Sequence, residues 1–324
     1  MTSSEKQLHD YTPNHSDPAV IVLEIPTSHG GQRLDQALAA MMPDYSRSRI
    51  QDWIKRDLVR VNGRVLGVKD KVWGGEHVAV APDAHPAEVP AVAEDIALDV
   101  IFEDDTLLVV NKPAGLVVHP GSGNWQGTLL NALLHHAPQL SAIPRGGIVH
   151  RLDKDTSGLL VVAKTLTAQT HLVRQLQARS VKRLYLAVAI GVIESAGKVD
   201  AAIGRHPSQR TKMAVIHNGR EAVTHYTVLE NYTHCTLIQC ALETGRTHQI
   251  RVHLQSIKHP LVGDPVYGRA LNQAIPAVKD FKRQALHATL LGLLHPLTGL
   301  AMEWEVAPPA DFQALLVALR EATL

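Results

Sequence analysis

The sequence is short of cysteine and of long apolar runs. Its two cysteines, Cys235 and Cys240, are five positions apart, which puts them on opposite faces of the strand that the letters T-L-I-Q-C-A-L predict. We therefore expect no disulfide and no cysteine metal site. No uncharged apolar run of about eighteen residues is present, so no membrane span is expected. The first letters, M-T-S-S-E-K-Q-L-H-D, lack a secretory signal, so the expected location is the cytoplasm.

Several motifs of common enzyme classes are also absent. The chain has no phosphate loop, no G-x-G-x-x-G turn and no G-x-S-x-G elbow, which argues against nucleotide-dependent, hydride-transfer and serine-hydrolase enzymes. A metal site is not expected, because His248 and His253 are five apart and so fit neither a helical i, i+4 pair nor one face of a strand. No repeat of fixed period suggests a solenoid.

The formal net charge of +1 conceals blocks of opposite sign along the chain. Residues 31–80 hold nine basic and six acidic groups, and residues 141–190 hold eight basic and two acidic groups. Between them, residues 81–110 hold eight acidic groups and no basic ones. Because a phosphate backbone is a common partner of basic surfaces, this alternation makes nucleic acid a candidate partner.

A small domain is predicted at residues 19–81, after a polar, unpatterned and mobile tail at residues 1–18. Apolar residues at helical spacing begin its first helix at Leu34, and Asp35 is expected only to flank that stripe. The helix is expected to stop before Pro43.

A second helix in this domain carries a basic face. Arg47, Arg49 and Lys55 are left for solvent or a ligand, while its apolar residues face inward. The pair Asn62-Gly63 follows, between the alternating letters V-R-V and R-V-L, and predicts a β-hairpin.

The rest of the chain predicts a larger domain at residues 96–324, joined by a linker at residues 82–95 that is rich in proline, alanine and acid. Strands outnumber helices and most neighbours suit antiparallel pairing, so the fold class is α+β with a mixed, mainly antiparallel sheet. In the strand R-L-Y-L-A-V-A-I, Tyr185 shares its face with alanines. A helix at residues 166–179 is expected to bury Leu166.

One carboxylate stands out in residues 148–158, I-V-H-R-L-D-K-D-T-S-G. The turn letters D-T-S-G place Asp153 before a sharp reversal that backs onto a buried strand, and chemistry tends to lie on such loops. Arg151 and Lys154 flank it, and Arg246 lies further on at a strand-to-helix junction that favours anions. An arginine against Asp153 would hold it ionised and aimed, as a nucleophile requires. From the residues alone, a purely structural turn remains the alternative.

Three motifs together resemble the RluA family of RNA pseudouridine synthases: H-R-L-D-K-D-T-S-G-L, K-R-L-Y and E-T-G-R-T-H-Q-I-R-V-H. The small domain resembles the αL RNA-binding module of a ribosomal protein and of tyrosyl-tRNA synthetases. The likeness covers residues 20 to 310. It implies an isomerisation, without cofactor or metal, in which uracil leaves ribose C1′, turns and rejoins through C5.

The resemblance also assigns roles to residues of the large domain. Asp153 matches the catalytic aspartate, which would either attack C1′ or remove a proton from C2′. Tyr185 matches the tyrosine that stacks on the target base, and Arg246 matches the arginine that pairs with the aspartate. Arg151 matches the arginine that fills the gap left by a flipped uridine, and a guanidinium plane can stack in this way.

Further contacts follow from the same resemblance. Ile250 or Leu261 is expected to wall the pocket, and Arg47, Arg49 and Lys55 are expected to meet RNA phosphates. The implied partner is large-subunit ribosomal RNA or a pre-ribosomal particle, with several target uridines in the stem-loop that contacts tRNA at the subunit interface. We expect the enzyme to be a monomer.

The sequence argues against two other classes of protein. A glycosidase-like hydrolase would use Asp153 and Asp155 as its carboxylate pair, but two positions in one tight loop do not readily straddle a sugar from opposite faces. An RNA-binding assembly factor with a vestigial site would predict substitutions at Asp153, Tyr185 or Arg246, and all three residues are present.

Overall fold

The computed structural model divides the chain into two compact units, Met1–Pro90 and Ala91–Leu324. The predicted tail lies outside the described residues, as does most of the predicted linker. No helix in the described part of the chain is long and apolar enough to cross a membrane. The structure describes residues 20–82, 91–121, 123–209, 211–268 and 278–323.

The first unit combines two helices with a three-stranded antiparallel sheet of order β1-β3-β2. Ser46 caps the second helix by accepting a hydrogen bond from the backbone N–H of Arg49. Trp53, in the same helix, is fully buried. The elements are β1 (Ile21–Glu24), α1 (Leu34–Met41), α2 (Arg47–Lys55), β2 (Val59–Val61) and β3 (His77–Val80).

The prediction that Asp35 only flanks the apolar stripe is wrong, because Asp35 is buried and bound by several side chains. Its carboxylate is fully buried and accepts hydrogen bonds from the side chains of Arg33, Arg47 and Gln51. These donors keep the pKa of Asp35 below its usual value, although burial alone would raise it. The prediction failed because Arg47 and Gln51 come from the second helix, which a reading of the first helix does not include.

The hairpin predicted at Asn62-Gly63 is wrong in its second strand. Both residues have positive φ and form the tight turn, but Arg64 makes only an isolated bridge to Val61. Strand β2 pairs instead with β3, which lies between β2 and β1. Strand β3 buries its valines in the core of this unit, and its backbone pairs with the inner edges of both neighbouring strands.

The second unit is built on a nine-stranded sheet of order β4-β5-β6-β13-β7-β12-β11-β8, with β14 paired to β13. Only the β6–β13 pair is parallel within this described sheet, which confirms the predicted α+β class. Strands β9 and β10 form a separate pair. The elements are β4 (Val100–Glu103), β5 (Leu107–Lys112), α3 (Leu129–His136), β6 (Ser157–Ala163), α4 (Leu166–Gln177), β7 (Lys182–Ile190), β8 (Gly197–Asp200), β9 (Ile203–Arg205), β10 (Met213–Val215), β11 (Val223–Asn231), β12 (Cys235–Leu242), α5 (Gln249–Ser256), β13 (Leu286–Leu294), β14 (Ala301–Glu305) and α6 (Ala310–Glu321).

Strand alternation gives the sheet two apolar faces. Tyr185 and Cys240 join the core that also contains residues of α3 and α5, whereas Leu186 and Cys235 belong to the core beneath α6. The predicted opposite faces of the two cysteines are thus confirmed, and both thiols are free. The prediction for Leu166 is wrong: it is exposed at the first turn of α4, and Ala168 and Leu172 face the sheet instead.

The last residues of the predicted linker belong to the second unit. The side chain of Asn131, in α3, donates a hydrogen bond to the carbonyl of Val92, and the backbone N–H of Glu94 donates to the carbonyl of Asn131. The Glu94 carboxylate in turn accepts from the backbone N–H of Gly127. Residues 91–95 are therefore tied to α3 rather than serving as spacer.

Candidate active site

The loop that carries Asp153 is held in place where it enters the sheet at β6. The backbone N–H of Thr156 donates to the carbonyl of Asp153, closing the predicted turn. Strand β6 then begins, and Gly158 has a φ of 114° in close contact with the carbonyl of Ala288, where any Cβ would clash. The loop therefore enters the sheet in a conformation that only glycine allows.

Lys112 holds the same loop from the neighbouring strand. Its buried ammonium group donates hydrogen bonds to the carbonyls of Pro113, Leu116 and Lys154, at 2.7, 2.9 and 3.0 Å. Burial lowers the pKa of Lys112 to about 7, and the charges of Asp155 and Asp153 oppose this shift. Three carbonyl acceptors match the three N–H groups of the charged form, so this side chain ties the end of β5 to the Asp153 loop.

The Asp153 carboxylate is paired with Arg251, on α5. Nη1 of Arg251 donates to Oδ2 of Asp153 at 2.9 Å. The other edge of the guanidinium makes a bidentate pair with Asp264, with Nε–Oδ2 and Nη2–Oδ1 distances of 2.8 and 3.0 Å. Burial alone would lower the pKa of Arg251, but the hydrogen bonds and charge of Asp264, and then of Asp153, raise it above its usual value. Arg251 therefore stays ionised and holds one oxygen of Asp153.

This pairing corrects the prediction that Arg246 is the partner of Asp153. Arg246 precedes α5, its backbone N–H donates to the side chain of Gln249, and its Nε donates to the carbonyl of Glu221. Arg251 lies inside the helix, 5% exposed, where its side chain reaches the Asp153 loop. Arg246 does line the same cavity as Asp153.

Val266 and Tyr267 contact Asp264 and Arg251 and hold this ion pair in place. The backbone N–H groups of Val266 and Tyr267 donate to Oδ1 of Asp264, and the guanidinium of Arg251 lies 5.1 Å from the ring centre of Tyr267. The Tyr267 hydroxyl is 2.9 Å from Nδ1 of His248. Burial lowers the pKa of His248, so its ring is neutral near pH 7.

A cavity of about 540 Å³ opens above these groups. Of the residues predicted from the sequence, Asp153, Tyr185, Arg246, Arg151 and Ile250 all line it. The Oδ1 atom of Asp153 accepts no hydrogen bond from the described residues, so one carboxylate oxygen is available to a ligand. Among the described residues, six arginines line the cavity: Arg145, Arg151, Arg179, Arg183, Arg246 and Arg251. Of the same described lining residues, only Asp153 and Glu243 carry carboxylates, so the cavity suits an anionic ligand.

Two loop and wall residues lie outside this lining. Leu261 is fully buried and bridges to Ala189, and it is absent from the cavity wall, whereas Ile250 forms part of it. Asp155 also does not line the cavity, and its carbonyl accepts a hydrogen bond from Arg283. Asp153 and Asp155 therefore do not face one cavity as the carboxylate pair of a glycosidase would.

The basic residues predicted in the first unit differ in how firmly they are held. Arg47 is bound to the buried Asp35, with an Nη2–Oδ2 distance of 2.8 Å. The guanidinium of Arg49 stacks near Tyr45 and Trp53, at 5.3 and 5.1 Å from their ring centres. Lys55 is exposed at the end of α2.

Three further residues of the site were not singled out from the sequence. Arg251 stands in the motif E-T-G-R-T-H-Q-I-R-V-H, where a basic residue inside a helix is the available signal, and Asp264 follows in the letters H-P-L-V-G-D-P-V-Y-G. Arg183 stands in K-R-L-Y, two positions before Tyr185 and on the same strand face. No cluster of three or more metal-ligating side chains occurs among residues the structure describes.

Comparison with known proteins agrees with this architecture. The family of RNA pseudouridylate synthases matches residues 106–256, and the S4 domain family matches residues 32–78. The solved structure of human RNA pseudouridylate synthase domain containing 1 is 28% identical, with a TM-score of 0.54 over 67% of this chain and 86% of that chain. The class defined by fold and site is an RNA pseudouridine synthase with an S4 domain, which confirms the predicted αL module.

Full-length relatives narrow the class further. Ribosomal large subunit pseudouridine synthase D of Nitrosomonas europaea is 58% identical over 302 residues, which cover 93% of this chain and 88% of the relative. The protein of the same name from Pseudomonas aeruginosa is 52% identical over 313 residues, covering 94% and 98%. The chain belongs to the RluA family of RNA pseudouridine synthases and is an isomerase. Within that family, the chain is similar to ribosomal large subunit pseudouridine synthase D over more than nine tenths of its length.

Proposed function

We propose that this enzyme converts uridine to pseudouridine in large-subunit ribosomal RNA, at several uridines of the stem-loop at the subunit interface. The observation that carries the proposal is the Asp153 carboxylate, which has one oxygen on Arg251 and the other free in a cavity that Tyr185 also lines. An ionised, oriented carboxylate suits either attack on ribose C1′ or removal of the C2′ proton. The names of the relatives supply the substrate class.

In this reaction the C1′–N1 bond breaks, a C1′–C5 bond forms, and the proton lost from C5 is balanced by one gained at N1. Tyr185 would stack on the uracil, and Ile250 would contribute to the apolar wall. A base within a stem must first leave its stack at a cost of a few kcal/mol, and Arg151, exposed at the cavity, would occupy the gap. The reaction needs no cofactor, and its expected location is the cytoplasm.

The test is Asp153→Asn, assayed by tritium release from ribosomal RNA labelled at uridine C5. We expect RNA binding to persist and tritium release to be abolished, because the amide cannot act as a nucleophile or base. Asp155→Asn is the matched control, since Asp155 lies in the same loop but outside the cavity, and it should release tritium normally. Release by the Asp153 variant at the wild-type rate would refute the assigned role.

The first unit is proposed to bind RNA phosphates through α2. Lys55→Ala should weaken RNA binding and lower the dependence of log affinity on log salt by about 1, while turnover at saturating RNA is unchanged. Arg47→Ala should in addition destabilise this unit, because the buried Asp35 loses one of its donors. Arg49→Ala should act as Lys55→Ala does. Unchanged affinity and salt dependence in all three would remove the module from recognition.

A further inference from the structure

Arg183 is a buried cation that the enzyme's own carboxylates leave without a partner. It lies on β7, is 7% exposed and lines the cavity. Its Nη2 makes one long hydrogen bond, 3.3 Å, to the carbonyl of Glu243, and its buried Nε has no hydrogen-bond partner. No acidic side chain in the described ranges forms an ion pair with it.

Two other arginines of the second unit that are largely buried form ion pairs with acids. Arg251 is paired with Asp153 and Asp264, and Arg283 is paired with Asp311. Since an unpaired buried charge is costly, a guanidinium left in this state implies an anionic partner from outside the chain.

The guanidinium of Arg183 is held close to the backbone at Gly245, in the wall of the cavity. A Cβ built on Gly245 would lie only 2.9 Å from Nη1 of Arg183, so glycine at this position allows the guanidinium to lie against the backbone. Tyr185 lies two residues away on the same strand face, where the target base is proposed to stack. An arginine at that distance can reach the backbone of the nucleotide whose base occupies the cavity.

We propose that Arg183 binds a phosphate group next to the flipped uridine. The phosphates are the anionic groups of the RNA substrate, and a guanidinium can bind their oxygens through two parallel N–H groups. This inference rests on the proposed function. It adds a residue that fixes the nucleotide backbone in the cavity that Arg151 and Arg246 also line.

The test uses an RNA hairpin that the wild-type enzyme modifies, made with a neutral methylphosphonate either 5′ or 3′ to the target uridine. At one of these linkages the wild type should lose about tenfold in affinity, the equivalent of one charged hydrogen bond. Arg183→Gln should bind the unmodified RNA about tenfold more weakly and lose less than twofold further with that methylphosphonate. Its salt dependence should fall by about 1.

Three controls make the outcome decisive. Arg174→Gln, an exposed arginine of α4 outside the cavity, should match the wild type, and Arg183→Lys should recover part of the affinity. The thermal midpoint of Arg183→Gln should be equal to or above that of the wild type, because a costly buried charge is removed. A lower midpoint would show that the fold itself compensates Arg183 and would overturn the proposal.

Two further outcomes would also overturn it. One is that the Arg183→Gln and methylphosphonate effects multiply at both linkages. The other is that Arg183→Gln lowers turnover with unchanged affinity and salt dependence, which would place the guanidinium on the uracil. Tritium release by the wild type checks the proposed function separately, so failure of either idea is recognised by itself.

Discussion

Asp264→Asn is the most informative perturbation of the site, because it separates the stability of the ion-pair chain from its chemistry. Asp264 is fully buried and makes two charged hydrogen bonds to Arg251, besides accepting from the backbone N–H groups of Val266 and Tyr267. Removing one partner of a buried pair costs about 3–5 kcal/mol. Since Arg251 retains Asp153, we expect the lower end, about 3 kcal/mol of the free energy of unfolding.

Asp153→Asn should cost little stability and all of the activity, the reverse of what is expected for Asp264→Asn. Asp153 is 16% exposed and makes a single hydrogen bond to Arg251, which keeps its bidentate partner when Asp153 is neutralised. The expected loss of stability is at most about 1 kcal/mol, whereas tritium release should vanish. Asp264→Asn should retain measurable release, because Asp153 still carries its charge but is less firmly aimed.

Urea denaturation followed by circular dichroism measures both variants, with Asp155→Asn as the control. The order expected in the denaturation midpoint is Asp264→Asn lowest, then Asp153→Asn, then the control close to the wild type. Equal losses for the two variants, or a larger loss for Asp153→Asn, would refute the view that Asp264 anchors Arg251 and Asp153 only uses it.

Three other properties follow from buried groups. Lys112→Met should cost about 3 kcal/mol and most of the activity, measured by denaturation and tritium release, because three carbonyls, including that of Lys154, lose their donor. Burial lowers the pKa of His253, so below about pH 6.5 the unfolded chain binds more protons than the folded one and the free energy of unfolding should fall. The loss due to this residue is at most about 1.4 kcal/mol per pH unit. His253→Gln should therefore make the unfolding midpoint depend less on pH in the acid range, and an unchanged dependence would contradict this. Burial raises the pKa of Cys235 and Cys240 to about 12, so a thiol reagent should label them only after unfolding, and rapid labelling of the native enzyme would contradict the structure.

Much of the fold could be predicted because periodicity is a local property of the chain. The alternation around Tyr185 fixes which side chains face α5, and the spacing of the two cysteines fixes their opposite faces. The start of α3 has a local signal of the same kind, because Thr128 directly before it accepts a hydrogen bond from the N–H of Asn131. Leu166 was misplaced because the first turn of a helix can extend beyond the sheet that covers the rest of it.

The ion-pair chain of the site could not be predicted in the same way, because its members meet only in the folded protein. Asp153 and Arg251 are 98 positions apart, and the choice between Arg246 and Arg251 depends on where α5 begins and on the presence of Asp264. The burial of Asp35 has the same origin, since its donor Arg47 comes from another helix. Motif letters identify the candidates, but only packing selects among them.

Arg251 is shared between two acids, so it can stabilise the fold and also leave the carboxylate of Asp153 free for the proposed reaction. Asp264 takes two donors of the guanidinium in a fully buried, bidentate pair, which fixes the plane of the group. One remaining donor then orients Asp153 through Oδ2 and leaves Oδ1 without a hydrogen bond from the described residues, as the proposed reaction with the ribose requires. If Arg251 bound both carboxylate oxygens of Asp153 instead, neither oxygen would be available to a ligand without breaking a buried ion pair. In the proposed reaction, the buried Asp264 is therefore what allows Asp153 to be held and still react.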